Sequence, residues 1–241
     1  MLSSIPAVCL LSTPALEECS AELVNKIETS TAFKNKKRRY KAAKKLARVI
    51  KEQRRMAKSN KNIAVALTLT YRNSKDFSPK NISKFLDNIR RKLKRAGHSF
   101  AYAWVLECAS HLHYHLILWL PRDFTLGFST LSKWWPWGST WIKSCRDVNA
   151  WAKYLSKLDG ITNLPRGARA FNYGGLDEAG KIAVARTALP IWLLKLLPKN
   201  MCARRCAGGG WINMATGEIF HSPYIWTPLS IRLRAELIHF S

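Results

Sequence analysis

At 241 residues the chain is long enough for one catalytic domain with extensions, and 47% hydrophobic residues leave a core to bury. Forty Lys and Arg against fifteen Asp and Glu give a formal charge of +25, which opposes compaction and calls for a polyanionic partner. Nucleic acid is the first candidate and an anionic membrane surface the second, while a bilayer span is excluded. The best apolar run, Leu189 to Leu197, is short and interrupted by Pro190 and Lys195.

Residues 1–33 read as an N-terminal tail. Its start is apolar but lacks the basic leader of a secretory signal. Thr29-Ser30-Thr31 offers a helix cap at the head of the basic stretch. Residues 34–61 carry fourteen Lys or Arg and one acid, Glu52, with Ala43, Leu46, Ile50 and Ala57 at helical spacing. This predicts a basic amphipathic helix whose Lys36, Lys37, Arg38, Arg39, Lys44 and Lys45 contact phosphates. A membrane-surface helix would need bulkier apolar anchors.

From residue 62 the pattern turns to strand, Ile63 to Tyr71. Ser78-Pro79 then opens a helix through Ile82, Phe85, Leu86, Ile89 and Leu93, with a basic outer face. Phe100–Glu107 and His111–Leu120 read as a hairpin turning at Ala109-Ser110. A loop or short helix rich in tryptophan comes next (Trp134, Trp135, Trp137 and Trp141), in which the rings of Trp134, Trp135 and Trp137 either pack or stack unpaired bases. Trp104, Trp119 and Trp151 are expected in the core. Asp147 or Asn149 opens the next helix. The order predicts an α+β unit over 62–160, an antiparallel sheet with helices on one face.

Residues 161–241 form a C-terminal accessory region. It contains a glycine turn at 208–210 and a hairpin of Trp211–Asn213 with Glu218–Phe220. Cys9, Cys19, Cys108, Cys145, Cys202 and Cys206 form no disulfide framework and fit a reducing cytoplasm. Cys202 and Cys206 read as thiols, with zinc the alternative. No glycine-rich phosphate loop of an ATPase is seen.

The chemistry concentrates at His113-Tyr114-His115. In a strand both imidazoles project to one face, opposite Leu112, Tyr114 and Leu116. Glu107, closing the preceding strand, can meet them. A His₂–carboxylate set with open positions suits Mg²⁺ or Mn²⁺, and His111 competes with Glu107 as third ligand. Downstream, Tyr154 and Lys157 stand at i and i+3. The lysine is placed to favour a phenolate and to offset charge at a bound phosphate.

Glu107, His113-Tyr114-His115 and Tyr154-Leu155-Ser156-Lys157, in that order, resemble the HUH endonucleases. The likeness is closest to the single-tyrosine rolling-circle replication initiators of filamentous phages and small plasmids. Leu67-Thr68-Leu69-Thr70 resembles that family's first strand motif. Tyr114 stands where a plain aliphatic is expected.

The resemblance implies a ferredoxin/RRM-like HUH nuclease core over residues 62–160. It implies a replication initiation protein, a DNA endonuclease and strand transferase acting in the cytoplasm of a bacterial host. Tyr154 would attack a phosphate of single-stranded or extruded origin DNA, with metal on His113, His115 and Glu107. A 5′-phosphotyrosine and a 3′-hydroxyl would result. A host polymerase would extend that hydroxyl, and a host helicase would open the duplex. A single-tyrosine HUH transposase and a non-catalytic basic nucleic-acid-binding protein are the alternatives.

Overall fold

The computed structural model describes residues 13–158, 164–226 and 231–233. The chain divides into two units, residues 1–42 and 43–241. Helix α1, Thr13–Ser59, starts well before Lys34. Thr29-Ser30-Thr31 therefore lies inside the helix and does not cap it. The expected tail before residue 13 lies outside the described residues. Among the described side chains of the first unit, Lys36, Lys37 and Arg38 are exposed and Arg39 is half-buried.

The second unit is built on a five-stranded antiparallel sheet. Its strands are β1 (Ile63–Tyr71), β2 (Ala101–Cys108), β3 (Leu112–Leu120), β4 (Gly138–Ser144) and β5 (Phe171–Gly174), in the spatial order β4-β1-β3-β2-β5. The expected α+β architecture is the observed one. Alternation assigns the two faces. Val65, Leu67, Leu69 and Tyr71 of β1 point the same way as Leu112, Tyr114, Leu116 and Leu118 of β3 and as Tyr102, Trp104 and Leu106 of β2, and these residues share one core.

Helix α2 (Pro79–Arg95) closes that core with Ile82, Phe85, Leu86, Ile89 and Leu93. Its start is set by Ser78, whose hydroxyl accepts the Lys80 N–H, and by Pro79 in the first turn. Helix α3 (Phe128–Trp134) adds Leu131, and Trp135 just beyond it is fully buried. The Trp135 ring meets Tyr71, Phe85 and Tyr114 edge-on at 4.9, 6.1 and 5.9 Å. Packing, not base stacking, is thus the role of Trp135, and Trp134 and Trp137 are partly buried against the same core.

The reverse face carries residues 43–59 of α1, whose Leu46, Val49, Ile50, Gln53 and Ala57 are buried. The Gln53 amide ties this helix to three strands. Its Nε2 donates to the carbonyls of Tyr102 (2.8 Å) and Gly174 (2.9 Å), and its Oε1 accepts the Trp119 indole N–H (3.0 Å). Arg55 pairs with Glu52 and with Asp177, the N-cap of α5 (Glu178–Ala185).

Two strands of this five-stranded sheet differ from the sequence expectation. β4 pairs with β1 along the tryptophan-rich segment, and β5 comes from the region expected to be accessory. Gly138 lets β4 begin, because a Cβ there would collide with the Thr70 carbonyl and crowd the Arg72 backbone nitrogen. In the C-terminal region β6 (Ala203–Arg205), β7 (Trp211–Asn213) and β8 (Ile219–Phe220) form a small sheet, so the expected hairpin at 211–220 is present. Arg186 closes the preceding segment, α6 (Ile191–Leu196) and the turn after it, by donating to the carbonyls of Leu197, Pro198 and Met201. Strands β9 (Tyr224–Trp226) and β10 (Ile231–Leu233) pair separately.

Candidate metal and nucleophile site

The cross-strand register assembles the site. His113 lies opposite Glu107 of β2 and Thr70 of β1, while His115 lies opposite Val105 and Thr68. Cross-strand partners share a face, so Glu107, His113, His115 and Thr68 all project away from α2. Tyr114, between the histidines, is 1% exposed and turns into the opposite core, where its ring meets Trp104 edge-on at 5.1 Å. This aromatic middle residue anchors the strand: slipping β3 by one position would bury the imidazoles and expose Tyr114.

One ligand atom each from Glu107, His113 and His115 can be chosen so that all lie within 4.8 Å of one another. The Nε2 atoms of His113 and His115 stand 3.9 and 3.7 Å from the same Glu107 oxygen, Oε2. Each Nδ1 has its own partner. That of His113 is 2.9 Å from the His111 carbonyl, and that of His115 is 3.2 Å from the Thr68 hydroxyl. A carbonyl only accepts, so His113 carries its proton on Nδ1 and presents the Nε2 lone pair.

Burial, and then the neighbouring His113, lower the pKa of His115 to about 4. That ring is therefore neutral near pH 7, and its approach to Glu107 is a ligand spacing, not an ion pair. Two imidazoles with held Nδ1 atoms and one carboxylate fit a divalent cation.

His111 falls in the hairpin turn, where Ala109 N–H bonds its carbonyl, and its side chain is exposed. It serves the cluster through its backbone, and the carboxylate that joins the histidines is that of Glu107.

Helix α4 (Val148–Leu155) brings the tyrosine. Asp147 caps it by accepting the Ala150 N–H at 2.9 Å. Arg54 of α1 donates to Asn149 at 2.7 Å, and the Trp151 indole donates to the Leu116 carbonyl at 3.2 Å, docking the helix on β3. Trp151, expected in the core, is instead half-buried and stacks on Tyr154 with centroids 5.3 Å apart and planes inclined by 22°. The Tyr154 hydroxyl then reaches His115 Nε2 at 3.1 Å. In the Nδ1–H form of His115, the one that presents Nε2 to a metal, the ring donates to Thr68 and the phenol donates to Nε2.

The phenol is 38% exposed. Burial, and then the charge of Glu107, raise its pKa above the usual range. Lys157 lies past the end of α4, exposed in a turn after the C-cap Ser156. The Tyr154 ring packs against His115 and Trp151.

Residues 64–159 match the family model of the ORF2-type replication-associated proteins. That family comprises rolling-circle replication initiators, so the resemblance carried by Glu107, the histidine pair and Tyr154 is shown over this segment. Comparison with curated proteins and with solved structures gives no match. The matched segment runs from within β1 to beyond α4 and contains Glu107, His113, His115 and Tyr154. Among the described residues, no helix is long and apolar enough to cross a membrane.

Thr68, Arg54 and Trp151 support the site in ways the sequence does not single out: Thr68 enters there only as part of a strand motif and Trp151 only as a core residue. Thr68 carried a signal, since Ala64, Ala66, Thr68 and Thr70 form the small, polar face of an otherwise apolar strand. Replacing it with the near-isosteric valine is expected to weaken Mn²⁺ binding roughly tenfold to a hundredfold, as for other residues that orient a metal-bound imidazole. Titration calorimetry of Thr68→Val against the unaltered protein measures this. Equal affinities would remove Thr68 from the site.

Of the expected phosphate-binding residues, Lys44 is exposed like Lys36, Lys37 and Arg38. The Lys45 ammonium instead lies over the Tyr173 ring, 5.3 Å from its centroid.

Proposed function

We propose that this protein starts rolling-circle replication by nicking and rejoining one DNA strand at an origin. His113, His115 and Glu107 hold Mg²⁺ or Mn²⁺. When bound, that cation supplies a Lewis acid for a phosphate oxygen and offsets the Glu107 charge that otherwise raises the phenol pKa. Tyr154 gives up its proton and its oxygen attacks phosphorus. The bond from phosphorus to the 3′-oxygen breaks, that oxygen takes a proton, and a 5′-phosphotyrosine remains beside a free 3′-hydroxyl. Attack by such a hydroxyl on the adduct reverses the step, so no nucleotide cofactor is consumed. Lys157 adds positive charge for the phosphate, and the exposed Lys36, Lys37, Arg38 and Lys44 hold the backbone without reading bases. A host helicase and polymerase complete the process in the bacterial cytoplasm.

The observation that carries this reading is the 3.1 Å approach of the Tyr154 hydroxyl to an imidazole of the Glu107–His113–His115 cluster. The test is incubation with single-stranded oligonucleotides tiled across the replicon that encodes the chain. With Mn²⁺ we expect a denaturation-resistant adduct on one oligonucleotide, mapping by peptide analysis to Tyr154, and none in EDTA. An adduct formed equally in EDTA, or none on any oligonucleotide, overturns it.

A further inference from the structure

Beside the tyrosine lies a cleft of about 740 Å³ between the edge strand β4 and α4. This is ample for a nucleotide. Its lining combines two chemistries. Trp141 of β4 stands opposite Thr68, hence on the metal-binding face, and is 51% exposed where the other tryptophans of its segment are packed. Lys143, opposite Ala66, projects to the same face, and Arg146 lies in the connection to α4. Both cations are exposed, and neither forms an ion pair among the described residues. The stacked pair Trp151 and Tyr154 forms the far wall. Across the sheet, Trp141, Thr68 and His115 form one row, so the exposed indole is two strands from the metal ligand. The exposed indole offers a face for stacking. Asp147, the acid in the lining, is engaged in capping α4, so the charge left to the cleft by Lys143 and Arg146 favours an anionic occupant.

We propose that this cleft takes one unpaired nucleotide of the bound strand, with its base stacked on Trp141 and its phosphate held by Lys143 and Arg146. The position of that nucleotide, next to the scissile phosphate, rests on the nicking reading; the stacking itself does not. The site is sequence-tolerant, because every base offers a π-face. It sets the strand so that the neighbouring phosphate meets the phenol.

The test uses the full chain in EDTA, so that nicking plays no part. Fluorescence anisotropy compares a labelled short oligothymidylate with an oligomer of the same length made of abasic units. Trp141→Ala should weaken oligothymidylate binding roughly fivefold to a hundredfold and leave the abasic oligomer unchanged. Trp141→Phe, which keeps a ring, should retain most of the affinity. Lys143→Ala combined with Arg146→Ala should weaken both oligomers alike. The proposal is overturned if Trp141→Ala binds both oligomers like the unaltered protein. It is equally overturned if Trp141→Ala weakens both to the same extent, since the loss would then not depend on a base. Failure of the nicking reading would show separately, as the absence of any adduct with Mn²⁺, and leaves the comparison of the two oligomers intact.

Discussion

Tyr154→Phe should abolish adduct formation, lowering it by at least roughly three orders of magnitude, while leaving the fold and the metal affinity in place. The separation of these effects comes from the contacts. The phenol bonds to His115 Nε2 and is 38% exposed, so losing the hydroxyl costs about 1 kcal/mol of stability or less. It is not one of the three clustered ligand residues. Removing it also frees the lone pair of His115 Nε2, so Mn²⁺ should bind at least as tightly as before. His115→Ala gives the opposite pattern: it loses a ligand atom and should lose metal affinity and adduct together. Calorimetry with Mn²⁺ and denaturing gels on the two variants measure both quantities. An adduct that survives in Tyr154→Phe would move the nucleophile elsewhere, and Mn²⁺ binding lost in the same variant would make the phenol a ligand instead.

The metal cluster was legible because β2 and β3 form a local hairpin. Period-two alternation puts His113 and His115 on one face, and the observed turn, residues 109–111 and so one longer than the expected Ala109-Ser110, sets Glu107 opposite His113. The capped helices α2 and α4 were legible for the same local reason, through Ser78 and Asp147. What failed depends on distant partners. β4 is an edge strand of glycine, serine, threonine, tryptophan, isoleucine and lysine that among the described residues pairs with β1 alone, so its Trp141 reads as loop. Nothing local distinguishes Trp135, which is fully buried, from Trp141, which is not. β5 is four residues long and acquires its identity from pairing with β2. For Lys157 the i+3 argument assumed a helix that continues, whereas α4 ends at Leu155 and the chain turns to a positive φ of 52° at Leu158.

Gln53 was missed because, in a helix so rich in lysine and arginine, a glutamine reads as one more solvated residue. It lies, however, on the stripe of Leu46, Val49, Ile50 and Ala57 and is fully buried. Gln53→Ala would strand a Trp119 indole that is 3% exposed, together with the Tyr102 and Gly174 carbonyls. With each buried group left unpaired costing about 1–3 kcal/mol, a loss of roughly 3–5 kcal/mol is expected. That is a large share of the ~5–15 kcal/mol typical of a domain. Lys44→Ala, on the exposed side of the same helix, should change stability by no more than about 0.5 kcal/mol. Urea unfolding monitored by circular dichroism compares them, and equal midpoints would show that the amide clamps nothing.

The functional consequence should be uneven. Glu107, His113 and His115 sit on β2 and β3, which hold each other, whereas α4 is steadied in part by Arg54, one residue along α1 from the lost amide. Below the unfolding transition, Gln53→Ala should therefore slow adduct formation more than it weakens Mn²⁺ binding. A basic helix that only gripped DNA would not produce that split. A helix that also holds the phenol against the imidazoles would.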